Sequence, residues 1–270
     1  MGANTKQLRT RIKSVNSTLH LTKAMGLVAS SKIRRATDAM NKSREYSKSL
    51  IELIGTLTLS PECDKSPFLT EKNDKPRMKI IVIAGDRGLA GGYNANIFRL
   101  AKEYSDAEFI AIGKRAVDRF GGQMLYAENF CYDDALNMAK KLCEDFRNNN
   151  YDSLGIISTK YVSMLTQEPY YTEILPLKKN PDSKPTGVVF EPDEATILQV
   201  AIGEYVAGLI VSHVRESFAC EIASRRNAMD SAGKNAQEMI DNLQLEYNRA
   251  RQGAITQELT EIVAGSGSVN

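Results

Sequence analysis

The chain has 270 residues, 42% of them hydrophobic, a net charge of only +2 and four cysteines. That composition excludes a disordered polyelectrolyte and supplies one large or two smaller globular domains with enough apolar side chain for a core. The charge is unevenly placed: residues 1–50 hold eleven Lys or Arg against Asp38 and Glu45, so 11 − 2 = +9 there faces −7 on the remainder, an asymmetry that points the basic part at something acidic.

All eight prolines lie between residues 61 and 192, so both ends of the chain lack the residue that is most costly inside a helix. At the N-terminal end Ile12, Val15, Leu19, Thr22, Gly26, Ala29, Ile33, Ala36 and Met40 step alternately by three and four, a heptad seam with most charges off it. Its small middle residues, Thr22, Gly26 and Ala29, admit a close partner backbone at the expense of buried apolar area. The spacing predicts a helix of about 55 residues within 1–60, roughly 80 Å long at about 1.5 Å per residue, that needs a fitting partner.

The middle, 76–190, alternates apolar runs with amphipathic segments. It predicts strands at Lys79–Ala84, Glu108–Gly113, Gly122–Ala127, Ser153–Lys160 and Thr172–Leu177, and helices at Asn94–Tyr104, Lys114–Phe120 and Asp133–Asn149. This is the pattern of a Rossmann-like α/β domain with a mostly parallel five-stranded sheet. No helix separates the last two strands, so the final one is expected antiparallel at an edge. Residues 61–76 and 178–193 read as the linkers in and out. Over 194–270 a second long helix is predicted. Its seam runs through Val211, Val214, Phe218, Ile222, Met229, Ala232, Ala236, Met239, Leu243, Tyr247 and Ala250. Helices of such length mean coiled coil, repeat or membrane span. The longest nearly uncharged apolar stretch, 205–211, is too short for a bilayer of about 30 Å, and no repeat exists. The expected arrangement is a long antiparallel coiled coil of the N- and C-terminal helices.

The segment "AGDRGLAGGYN" (84–94) follows a strand and opens a helix, where many proteins cradle a phosphate. It is neither a G-x-x-x-x-G-K-[ST] nor a G-x-G-x-x-G loop, and "FIAIGKRAV" supplies no acid at the end of the second strand. It reads as a turn that needs positive φ and close strand–helix packing. His20 and His213 lie on helices outside any H-E-x-x-H, there is no G-x-S-x-G, and Asp133, Asp134 and Asp230 form no metal-ligand pattern. Both histidines are expected at the surface, and no catalytic residue, metal or cofactor is expected. Cys63, Cys131, Cys143 and Cys220 form no C-x-x-C pair and read as reduced thiols of a cytosolic protein. The start MGANTKQLRT lacks the apolar core of a signal peptide.

The basic N-terminal helix leaves three readings open: an acidic protein surface, a hydrated face, or nucleic acid bound by phosphate neutralisation. Residues 1–40 hold no aromatic side chain for base stacking. Near the C-terminus, Arg249, Arg251 and Gln252 precede the stripe Ile255, Leu259, Ile262 and Val263. That is a helix tip with an apolar collar and a few hydrogen-bond donors.

"SVNSTLHLTKAMGLVASSKIRRA" (14–36), "DRGLAGGYNANI" (86–97), "QEPYYTEILPL" (167–177), "FEPDEATIL" (190–198), "NAQEMIDNLQLEYNRARQGAITQE" (235–258) and "ITQELTEIVAGS" (255–266) together resemble, in order, the gamma subunit of rotary (F-type) ATP synthases, and most closely a bacterial member. Gly26, Gly85, Ala90 and Ser266 depart from the residues usual at their positions. The resemblance implies the central rotor shaft of an ion-translocating complex, with the paired helices inside a ring of three alpha and three beta subunits. It places the α/β domain below with the epsilon subunit and the c-ring. Ion-driven rotation of the c-ring would force the catalytic beta subunits through their states, and this chain would carry no chemistry. By motif match, Arg251, Gln252, Lys23, Met25, Ile255 and Glu258 would contact the beta subunit, and Arg44, Glu45, Tyr46, Phe190 and Glu191 the c-ring and epsilon subunit. The expected location is the cytoplasmic face of the cell membrane, reached only through partners, with no nucleic acid bound. A nucleotide-binding α/β protein and a nucleic-acid-binding coiled-coil adaptor are the alternative functions.

Overall fold

The computed structural model describes residues 2–70, 76–179 and 190–267. Two long helices and a four-stranded sheet make up the chain. Helix α1 runs Gly2–Leu57 and, at the other end, α5 runs Glu194–Gly267. Asp193 caps α5, its Oδ1 accepting the Thr196 N–H at 2.8 Å, which satisfies one of the donors a helix start leaves open. The residues divide into two compact units, 1–29 with 226–270, and 30–225.

In the first unit the two helices pair antiparallel. Gly26 lies against Met229, and Gly233 against Thr22 and Leu19, at distances where an added Cβ would already be in van der Waals contact. The small middle of the seam is thus where the backbones approach. Leu19, Thr22 and Ala29 are buried as the heptad spacing predicts. On α5 the seam departs from the expectation at two steps: Gly233 is buried beside a half-buried Ala232, and Met239 is exposed while the half-buried Ile240 takes the inward position between Ala236 and Leu243. Steps of four then three keep that seam facing α1, where three then four turn it outward.

The second unit carries the sheet, in strand order β2-β1-β3-β4. Strands β1 (Met78–Ile83), β2 (Glu108–Ile112) and β3 (Ser153–Tyr161) are parallel; β4 (Gln167–Leu175) pairs antiparallel with β3 at the edge. Helices α2 (Tyr93–Ala101), α3 (Lys114–Phe120) and α4 (Tyr132–Arg147) connect them. The unbroken burial of Ile80–Ile83 and Ser153–Thr159 reflects a sheet covered on both faces, where strands are apolar runs and do not alternate.

The sheet has four strands, not the expected five. Residues 122–127 are not a strand: Gly121 and Gly122 sit at φ 78° and 102°, and only Leu125 bonds back, its carbonyl accepting the Gly113 N–H at 2.8 Å. The N–H groups of Ala127 and Glu128 go to the Asp86 carboxylate at 3.0 and 2.8 Å, which removes them from any ladder. β4 begins five residues earlier than predicted because Pro169 is tolerated on an edge strand. Residues 61–70 are no loose linker, since Cys63 and Phe68 are fully buried and Phe68 stacks on Phe146 at 5.7 Å; residues 71–75 and 180–189 of the two predicted linkers lie outside the described residues. Part of α5 is long and apolar enough to cross a membrane by length and composition, but Leu198, Ile202, Val206, Ile210 and Val214 are buried in the core of this unit.

Candidate functional site

Strand β1 lies between β2 and β3, and the connections from β1 and β3 leave toward opposite edges. In open α/β sheets this switch point, at the C-terminal ends of the strands, is where ligands bind. The glycine loop follows β1 there. Leu89 and Gly91 supply its positive φ, 60° and 57°. Asp86, 9% exposed, accepts the N–H groups of Lys114 at 3.1 Å, Ala127 at 3.0 Å and Glu128 at 2.8 Å. One carboxylate thereby fixes the start of α3 and the turn before α4.

The cradle itself is occupied by the chain's own anion. Glu221 of α5, 2% exposed, accepts long hydrogen bonds from the N–H groups of Asp86 (3.3 Å) and Arg87 (3.4 Å). Arg225, one helical turn on, pairs with the same carboxylate and donates to the carbonyl of Gly88 at 3.3 Å. A Cβ at Gly85 would stand 2.7 Å from the Glu221 carboxyl carbon, so glycine at this position is what lets the carboxylate enter. Backbone donors and a guanidinium around a carboxylate form a complete anion site, and the loop is a structural corner with its anion built in.

A second carboxylate of α5 closes the end of β3. Glu216 accepts the Tyr161 N–H at 2.8 Å and an Arg44 Nη2–H at 2.6 Å, and Arg44 also donates to the Tyr161 carbonyl at 3.2 Å. Glu128 joins α1 to the loop, receiving Lys32 and, at 3.3 Å, Arg87. Lys32, ahead of Arg87, holds the Glu128 carboxyl below its ordinary range against the opposing effect of burial.

His20 is exposed, as expected, but His213 is buried. Its Nδ1 faces the hydroxyls of Ser158 (2.8 Å) and Tyr170 (3.2 Å). Burial pushes its pKa down to about 4, the neighbouring Glu216 opposing this. It is a neutral core histidine that a helical pattern alone does not distinguish from a surface one. Burial raises the thiols of Cys63, Cys143 and Cys220, while Cys131 is exposed. Among the described residues no cluster of His, Cys, Asp or Glu is placed to hold a metal. A groove of about 460 Å³ beside β2 and α4 is rimmed by charges that neutralise one another: Lys79 reaches Asp145 at 3.3 Å and Glu108 at 3.6 Å.

Lys23 is exposed and Met25 half-buried on α1; Arg251, Gln252, Ile255 and Glu258 are exposed on α5. The register that sets Gly26 beside Met229 keeps the two groups apart, about 30 Å along the pair for some twenty residues of helix. By that register α5 runs beyond the start of α1 from about residue 254, and there Ile255, Leu259, Ile262 and Val263 are 48%, 58%, 62% and 69% exposed. In the second unit Glu45 and Glu191 are exposed and Phe190 is half-buried against the core. Tyr46, 46% exposed, meets Tyr132 edge-on at 6.4 Å.

A family model described as ATP synthase matches residues 4–269. An ATP synthase gamma chain of Ruminococcus albus is 39% identical, with 98% of each chain covered. One of Acetobacterium woodii described as sodium ion specific is 35% identical with both chains fully covered. Among solved structures, a chain of the Euglena gracilis mitochondrial ATP synthase in an OSCP/F1/c-ring assembly shares the fold with a TM-score of 0.71 at 16% identity, covering 99% of this chain and 95% of that one. A chain from the central stalk and c-ring of the Tetrahymena thermophila enzyme does so at 0.62 and 19%, covering 78% and 99%.

Proposed function

The chain belongs to the ATP synthase gamma-chain family, and from that premise we infer how its parts share the work of a rotor. It is the central shaft of an ATP synthase and does no chemistry of its own. The paired ends of α1 and α5 stand in a ring of three alpha and three beta subunits. The sheet-bearing unit stands toward the c-ring and the epsilon subunit. The complex sits at the cytoplasmic face of the membrane, and this chain reaches the membrane only through those partners.

The observation that carries this reading is the exposed end of α5, a stripe of four aliphatic side chains on helix that runs past its intrachain partner. Large apolar side chains grouped at one exposed place mark a surface that another protein covers. A modest apolar collar slides in a sleeve without fixed anchors, which suits a bearing. The net +9 of residues 1–50 favours acidic surroundings by long-range attraction that is weakly dependent on angle.

Arg251 and Gln252, with Ile255 and Glu258, form the part of the tip that engages a beta-subunit loop; Lys23 and Met25 form a second contact farther down the pair. Glu45, Tyr46, Phe190 and Glu191 face the c-ring and epsilon subunit. Arg44 belongs to this foot by position, but its guanidinium is engaged with Glu216, so its part there is to hold the foot's shape. The double variant Arg251→Ala, Gln252→Ala tests the catch: ATP synthesis in membrane vesicles is expected to fall several-fold with the complex still assembled. Synthesis at the wild-type level would remove these two residues from the account.

A further inference from the structure

We propose that Glu221 is an internal ligand: its carboxylate occupies the anion cradle of the glycine loop and makes the fold's ligand position into the joint that carries torque between the sheet and α5. The inference rests on the shaft reading above and names residues that carry the load.

Two facts about α5 motivate it. Between residues 202 and 223 the helix buries mostly apolar side chains, and apolar contact is non-directional. Such a contact holds a helix against a sheet while resisting poorly its turning or sliding. Within that stretch stand two buried carboxylates, Glu216 at 7% and Glu221 at 2% exposure. Burying a carboxylate is costly unless it is paired and hydrogen-bonded, and each of these meets the same kind of partner. Glu216 takes the N–H that ends β3, and Glu221 the N–H groups that follow β1. Adjacent parallel strands therefore each end on a carboxylate of α5.

The contacts of Glu221 and Arg225 with the loop oppose rotation of α5. The carboxylate accepts from the loop, and Arg225, on the same face of α5, donates back to the Gly88 and Arg87 carbonyls at 3.3 and 3.4 Å. Turning α5 about its axis away from the loop strains both sets. Arg87 extends the network through Glu128 to Lys32 of α1, so both long helices are tied to one loop. Charge-assisted hydrogen bonds have narrow preferred geometries, which apolar packing lacks. The absence of any Lys in the loop, and Gly85 beside the carboxylate, fit a cradle made for a fixed internal anion.

The test uses the assembled complex in inverted membrane vesicles, with ATP hydrolysis and ATP-driven membrane potential read together by a dye indifferent to the ion pumped. For Glu221→Gln, hydrolysis per assembled complex is expected to stay within about twofold while the steady-state potential falls several-fold, because a compliant joint fails first under load. A potential-to-hydrolysis ratio equal to the wild type's overturns the proposal. A wild-type complex that hydrolyses ATP without building a potential refutes the shaft reading itself, so the two failures are distinct. Hydrogen exchange on the isolated chain covers a variant that does not assemble. In Glu221→Ala the Asp86 and Arg87 amides should exchange about tenfold faster or more, and formate at tens of millimolar should slow them again. Unchanged exchange overturns the internal-ligand assignment, as does acceleration that formate leaves untouched.

Discussion

Acidification should weaken this chain through His213, which faces Ser158 and Tyr170 and has Glu216, paired with Arg44, nearby. Burial holds the folded-state pKa at about 4, against 6.5 for the ordinary side chain. Between those values the unfolded chain binds a proton that the folded chain refuses, so stability falls as pH falls. The neutral histidine's contribution is complete above pH 6.5 and is lost through pH 4. With one pKa unit worth about 1.4 kcal/mol, the loss relative to pH 7.5 is on the order of 1 kcal/mol at pH 5.5 and on the order of 2 to 3 kcal/mol at pH 4.5. Other groups titrate in the same range, so the measurement is a difference. Urea unfolding of wild type and His213→Gln, which keeps hydrogen-bonding atoms but does not titrate, is followed by circular dichroism at pH 7.5, 5.5 and 4.5. The variant starts less stable and loses less on acidification, and the gap between the two proteins narrows by the amounts given. Parallel losses across the whole range would refute a neutral, desolvated His213.

Other outcomes follow from the same contacts. Asp86→Ala removes the acceptor of three backbone N–H groups and should cost on the order of 3 kcal/mol, with the amides of Lys114, Ala127 and Glu128 losing protection from hydrogen exchange; retained protection would show that the carboxylate does not organise the loop. At the tip, Leu259→Ser with Ile262→Ser should leave the isolated chain's stability within about 0.5 kcal/mol of wild type, since both are exposed. The same pair should lower co-purification with alpha and beta subunits, and unchanged recovery would argue against a covered collar.

Much of this architecture is visible in single residues. The α1 seam is legible because small and large apolar side chains recur at heptad spacing where no proline intervenes. β1 and β3 are legible because a strand covered on both faces has no polar alternation to blur it. What escapes is set by contacts distant in sequence. "GQMLYA" (122–127) has the look of a strand, yet it opens on a glycine at positive φ, and Asp86, some forty positions earlier, takes the N–H of its last residue, Ala127, and that of Glu128 after it. Glu221 meets the glycine loop across a separation of 135 residues. Its one local signal is a carboxylate inside the apolar stretch "SFACEIA" (217–223), where a charge demands a partner. His213 is hidden in the same way, because helical position does not reveal that Ser158 and Tyr170 close over it. The tip residues are the reverse case: their exposure is what an apolar stripe at a helix end implies, and the structure adds only the register that leaves α1 behind.

The shaft itself is tested most directly by watching it turn. Cys131 is exposed in the sheet-bearing unit while Cys63, Cys143 and Cys220 are buried, so a bead can be attached through the native thiol. With the beta subunits of an assembled alpha–beta–gamma complex fixed to a surface, the account predicts sustained rotation of the bead in one direction when ATP is added. ATP hydrolysis by the same complexes with the bead stationary would contradict it.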